Sequence, residues 1–103
     1  MKKTRLSLIL ISMVLLLPLS TGVYAGDAKI GQEKAAQCAS CHGVNGEGNG
    51  TPNTKIAGMD VGKFSKSIKD YKSGARKNAM MEMFAKKLSD EDIANLAAYY
   101  ATK

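Results

Sequence analysis

Both cysteines and the single histidine of this 103-residue chain lie within five residues, Cys38-Ala39-Ser40-Cys41-His42. Whatever those side chains hold decides how the chain folds. A thioredoxin-like dithiol requires strands and a βαβ unit, for which the sequence offers no alternating pattern. A structural zinc site requires four sulfur or imidazole ligands, and two cysteines plus one histidine leave one missing. The order C-x-x-C-H has a different logic: two thioether bonds pin the vinyl edge of a haem, and the adjacent imidazole meets the iron from beneath.

The first quarter of the chain reads as a leader. Lys2, Lys3 and Arg5 precede an apolar run from Leu6 to Leu19, interrupted only by Ser7, Ser12 and Pro18. That run is long enough for a signal-peptide core and short for a membrane span. Small residues at Val23 and Ala25 suit a signal peptidase, giving a cleaved peptide over 1–25 and one domain over 26–103. No cysteine stands at the cut, so a lipid anchor is not indicated. The remaining 78 residues bury too little surface to be comfortably stable unaided, and a disulfide, metal or large cofactor is the usual supplement. Twelve Lys+Arg against nine Asp+Glu leave them a net charge of +3, too mild for a nucleic-acid protein but compatible with a positive docking face.

Periodicity and capping signals predict an all-α domain. Asp27 is the expected N-cap of a helix from Ala28 to about Cys38, with Gly31, Ala35 and Cys38 on one face. Glycines 43, 46, 48, 50 and 58, with Pro52, predict a loop from His42 to Gly58, long enough to need something to lie against. Asp60 caps a second helix with Val61, Phe64, Ile68 and Tyr71 on its stripe, closed by Gly74. Ser89 and Asp92 form a capping box ahead of Ile93, Leu96, Ala97 and Tyr100.

With His42 as one axial ligand, no second histidine is present for the other side. Met59, Met80, Met81 and Met83 are the candidates. Methionine is most often core filler. If Asn78 begins a short helix, Met80, Met83 and Phe84 group as packing residues and Met81 falls off that stripe. Periodicity therefore favours Met81 as the sulfur ligand, with Met59 in reserve.

The segments GDAKIGQEKAAQCASCHG, KIAGM, DYKSGAR and MMEMFAKKLSDEDIANLAAYY, taken in order, resemble the short class I c-type cytochromes. The chain is also similar to the domains of dihaem cytochromes and to haem subunits of flavocytochrome sulfide dehydrogenases. The resemblance implies three to four helices wrapped around one covalent haem c, with thioether links at Cys38 and Cys41. It implies His42 as proximal and Met81 as distal ligand, the methionine lying just upstream of the L-S-D-E segment. A glycine-on-aromatic crossing of first and last helices falls on Gly31 and Tyr99, and a propionate contact on Arg76. Where many members carry a proline whose carbonyl holds the ligand histidine, Thr54 stands, with Pro52 two residues earlier. The bulky aromatic usual in the first helix is absent, since Ala35 and Ala36 occupy that region.

Six-coordinate iron has no place for a small-molecule substrate, so the implied role is that of a periplasmic single-electron carrier and not an enzyme. Its expected partners are periplasmic or membrane redox proteins as donor and acceptor, with no nucleic acid and with membrane contact only through partner complexes. Scattered lysines at 63, 66, 69, 72, 77, 86 and 87 are available to bias docking toward an acidic partner. Two alternatives remain: the electron-accepting haem subunit of a flavoprotein dehydrogenase, and a haem sensor with a labile methionine.

Overall fold

The computed structural model describes residues 12–14, 16 and 25–103. The leader expected over 1–25 therefore lies for the most part outside the described residues. The described elements are α1 (Ala28–Lys34), a 3-10 turn (Ala35–Gln37), α2 (Ala39–His42), α3 (Val61–Ser73), α4 (Ala79–Ala85) and α5 (Asp90–Ala101), with no strand among them.

Apart from α2, each α-helix starts where a short polar side chain satisfies free N–H groups of the first turn. The Asp27 carboxylate accepts from the Lys29 and Ile30 amides, Asp60 from Lys63, and the Asn78 side chain from Met81. Ser89 and Asp92 form the complete capping box, with both hydrogen bonds at 3.0 Å. The α3 helix stops at Gly74, whose φ of 83° is the left-handed conformation that glycine adopts most readily.

Packing is set by the crossing of α1 over α5. A Cβ placed on Gly31 would stand 2.0 Å from the Asn95 carbonyl oxygen, and one on Gly26 would stand 1.9 Å from that of Ala94. Any side chain at either position would push the two backbones apart, and overpacking a formed core typically costs about 1–3 kcal/mol. The crossing is fixed from the other side by the Asp27 amide, which donates to the buried Asn95 side chain at 2.8 Å. Tyr99 lies against Gly31, so the glycine-on-aromatic contact expected for this pair is present. The core joins Ile93, Leu96, Ala97 and Tyr100 of α5 to Phe64, Ile68 and Tyr71 of α3, with Ala35, Ala85 and Leu88 closing it.

Two details differ from the sequence expectation. Val61 is on the α3 stripe but is 47% exposed, because it sits at the outer end of the helix. The first helix does not run unbroken to Cys38. It tightens through the 3-10 turn and resumes as α2, ending at His42. Three residues at 3.0 per turn turn the chain about 60° further than three α-helical ones would. That re-aims Cys38, Cys41 and His42 relative to the face that packs on α5.

Asp92 links the capping box to pH. Its carboxyl is held below the ordinary carboxylate value chiefly by the Ser89 amide, with Lys34 of α1 contributing from 3.4 Å. A depressed native pKa stabilises the fold above the ordinary value near 3.8, and that contribution is lost as pH falls through the native value. We expect Asp92→Asn to flatten the acid limb of the stability curve by roughly 0.5 kcal/mol, no more because solvent screens the group. Denaturant titrations of both proteins at pH 7 and pH 3 read the difference directly.

Candidate functional site

The concave space between α2, the loop 43–60, α3 and α4 is a cavity of about 620 Å³. Binding pockets for cofactor-sized molecules run to about 300–1,000 Å³. Cys38, Cys41, His42, Met59, Arg76 and Met81 all line this one space. Its walls are the inward faces of Phe64, Ile68, Leu88 and Leu96.

His42 is held in one orientation. Its Nδ1 lies 2.6 Å from the Thr54 carbonyl oxygen, so the proton sits on Nδ1 and the Nε2 lone pair is free for a metal. Of the two carbonyls anticipated, Thr54 and not Pro52 supplies the contact. The loop is fixed in turn by its own backbone: the Gly48 amide donates to the His42 carbonyl at 2.7 Å, the Ile56 and Ala57 amides to that of Gly46, and the Gly58 amide to that of Tyr100 at 2.8 Å. Gly46 is required where it stands, since its φ is 75° and a Cβ there would meet the Tyr100 ring at 2.8 Å.

The two thiols are free. Burial pushes the Cys38 thiol above its ordinary pKa, with the Tyr100 hydroxyl opposing the shift. A redox dithiol depends on a depressed thiol pKa, so this environment does not suit dithiol exchange.

On α4 the structure corrects the reason for favouring Met81. Met80 and Met83 are not packing residues: they are 56% and 46% exposed. The inward stripe is Met81, Ala85 and Leu88, at i, i+4 and i+7, and Met81 is packed against the core. It reaches the cavity because it lies on the buried face, not off it. Met59 and Met80 also line the cavity, Met59 packing against the core and Met80 not, while Met83 is absent from the lining.

Arg76 is positioned and not merely solvated, with its guanidinium 4.8 Å from the centre of the Tyr71 ring. Lys55, Lys63 and Lys77 join it around the cavity, and no acidic side chain lines that space. Sequence reasoning missed Lys55 and the role of Tyr100. The latter was read as an apolar core position, but its phenol oxygen is buried in the cavity wall without a hydrogen-bond partner.

Comparison with known proteins gives the site its name. The family model "Cytochrome c" matches residues 28–102. Cytochrome c-554(548) of Halomonas halodenitrificans is 42% identical over 82 residues, covering 77% of this chain and 99% of that protein. The chain belongs to the cytochrome c family. Reduced recombinant cytochrome c4 from Pseudomonas stutzeri superposes with a TM-score of 0.69 at 37% identity, over 77% of this chain and 46% of that one. The architecture is therefore the class I cytochrome c fold. A protein described as thiosulfate dehydrogenase electron acceptor, from Stutzerimonas stutzeri, is 40% identical over 65 residues, covering 62% of this chain and 30% of that protein.

The cofactor of the family is covalent haem c, and Cys38-x-x-Cys41-His42 fits its attachment motif. The cavity fits the group by three separate measures: its volume, its apolar walls, and a donor set of two thiols, an imidazole with a free Nε2 and thioether sulfurs. The chemistry of the family is haem-based electron transfer between redox proteins.

Attachment through both sulfurs has a direct consequence for folding, because the cavity takes the place of a filled core. We expect Cys38→Ser and Cys41→Ser proteins to accumulate poorly or to carry little haem, as read by haem staining of denaturing gels. Abundant, folded, colourless protein would refute the coupling.

Proposed function

We propose that the chain is a periplasmic carrier of single electrons, with one haem c attached through Cys38 and Cys41 and held between His42 and Met81. The observation that carries this reading is the Thr54 carbonyl on His42 Nδ1, which leaves Nε2 toward a cavity that Met81 lines from a different helix. The haem supplies the one-electron iron couple. The protein's residues supply the rest. The hydrogen bond to Thr54 fixes the His42 ring and its tautomer. The soft Met81 sulfur favours the reduced state and raises the potential. With His42 and Met81 both holding the iron, no position on it would be left for a small molecule. Arg76, anchored on Tyr71, is placed to neutralise a propionate.

Export is supported by the leader pattern of residues 1–25. Among the described residues no helix is long and apolar enough to cross a membrane.

The decisive experiment is the far-red sulfur-to-iron charge-transfer band in wild type, Met81→Ala and Met59→Ala. We expect wild type and Met59→Ala to show it and Met81→Ala to lose it, with a fall in potential. Loss in Met59→Ala alone would move the ligand to the loop. A wild type that binds carbon monoxide at neutral pH would point to the haem sensor.

Partner choice follows from the charges at the cavity. Of the lysines read as free, Lys66 is paired with Asp70, Lys72 donates to the Leu88 carbonyl, and Lys77 lies 3.9 Å from Glu82. Lys55, Lys63 and Arg76 remain at the rim, which suits an acidic surface on the donor or acceptor. The relative described as an electron acceptor of thiosulfate dehydrogenase favours a second reading, in which the donor is a periplasmic dehydrogenase. In either case the second-order rate of reduction by an acidic partner should fall several-fold between about 0.01 and 0.15 M salt. Lys63→Glu should lower the low-salt rate and flatten the dependence, as measured by stopped-flow absorbance.

A further inference from the structure

Between the end of α3 and the start of α5 the chain makes one excursion, which supplies Arg76, Asn78, Met80 and Met81 to the cavity lining. Its two ends are tied together. The Lys72 ammonium, from the last turn of α3, donates to the carbonyl of Leu88 at 2.5 Å, across 16 residues of chain. Both ends of that bond are fixed. Lys72 follows Tyr71, which is buried on the core side and covered by the Arg76 guanidinium, and the Leu88 side chain is only 5% exposed. The Leu88 amide in turn donates to the Ala85 carbonyl at 3.1 Å, so holding Leu88 also holds the last turn of α4.

We infer that Lys72 is a positioning residue for Met81: by closing this excursion it keeps the sulfur in the cavity and limits how readily the iron opens to an external ligand. The inference rests on the proposed His42/Met81 ligation. A helix of seven residues is too short to be stable by itself, so α4 depends on what holds its two ends. At its start the Asn78 side chain accepts from the Met81 amide at 3.0 Å. At its other end α4 has no basic residue in its own last turn, and the cation just beyond it comes from α3. Segments open locally where few contacts hold them, and a charge-assisted hydrogen bond is among the stronger ones to break. Without the Lys72 donor the excursion keeps the Asn78 cap and the burial of Ala85 and Leu88. The other lysines of α3 have different surroundings: Lys66 pairs with Asp70 on its own helix, and Lys69 is exposed.

The test compares wild-type, Lys72→Met, Lys72→Arg and Lys69→Met holoproteins. Methionine keeps an unbranched stem and removes the donor, arginine keeps a donor, and Lys69→Met controls for the lost charge. We expect reduced Lys72→Met to take up carbon monoxide about tenfold faster than wild type, with a weaker far-red band when oxidised. Lys72→Arg should recover most of the difference, and Lys69→Met should match wild type. Equal rates and bands in Lys72→Met and wild type overturn the inference and leave the carrier reading standing. Equal acceleration in Lys69→Met, or no recovery in Lys72→Arg, also overturns it. A wild type that carries covalent haem but lacks the band overturns the carrier reading itself. Limited acetylation of wild-type holoprotein needs no variant and reads the bond directly. Lys72 should react more slowly than Lys69, and its acetylation should track the loss of the band. A Lys72 that reacts as fast as Lys69 overturns the inference.

Discussion

The crossing of α1 on α5 is the constraint from which the haem site follows. Two glycines bring one backbone within contact of the other, and the Asp27 amide on Asn95 sets where along α5 the contact occurs. From that fixed point only the 3-10 turn separates the crossing from α2, so the direction in which Cys38, Cys41 and His42 project is decided by packing on α5. The far wall is built on the same helix, since Leu96 and Tyr100 line the cavity and the Tyr100 carbonyl holds the loop at Gly58. Thr54 reaches His42 from that loop. A displacement at Gly31 would therefore be felt both at the thiols and at the carbonyl that orients the imidazole.

The second constraint is size. A domain of about eighty residues ordinarily keeps its largest side chains for the centre, yet here the centre is a space of about 620 Å³. The described core is displaced to one side, between α3 and α5. Such a domain depends on its cofactor for part of the burial that larger domains obtain from side chains alone, and folding and haem attachment become linked. The alanines at 35 and 36, where the family commonly has a bulky aromatic, fit the same pattern. Ala35 is buried against the core, and Ala36 lies outside it beside Tyr99.

What the sequence revealed depended on the range of the interaction concerned. Caps act within three residues, and Asp27, Asp60, Asn78 and Ser89 were all legible from their neighbours. The buried face of α5 was legible because four apolar residues repeat at helical spacing in a twelve-residue helix. The seven-residue α4 was too short for the same reasoning. Its inward stripe is set by Leu88, which lies beyond its C-terminus, and a stripe drawn within the helix selected Met80 and Met83 instead. Met81 is placed in the cavity lining for a different physical reason, its position on the inward stripe. The break at Ala35 has no composition signal, since alanine suits α-helix and 3-10 turn alike. The contact of the Thr54 carbonyl and the burial of the Tyr100 hydroxyl were invisible, because each depends on which part of a distant element passes by.

Charge placement joins stability to partner choice. Asp90, Glu91 and Asp92 occupy the first turn of α5, where the helix dipole and the free amides favour negative charge. None of them lines the cavity, and neither does any other acidic residue. The helix thus gathers a third of the chain's acidic side chains at a location that serves folding. The cations around the cavity are left without acidic neighbours in its lining. Residues 26–103, with a net charge of only +3, can in this way present a rim more basic than their overall charge implies. Steering depends on the local field at the docking face and not on net charge alone. The acidic first turn of α5 and the proposed docking rim are two consequences of one segregation: acids are collected where a helix start needs them, and the surface through which electrons would leave stays positive.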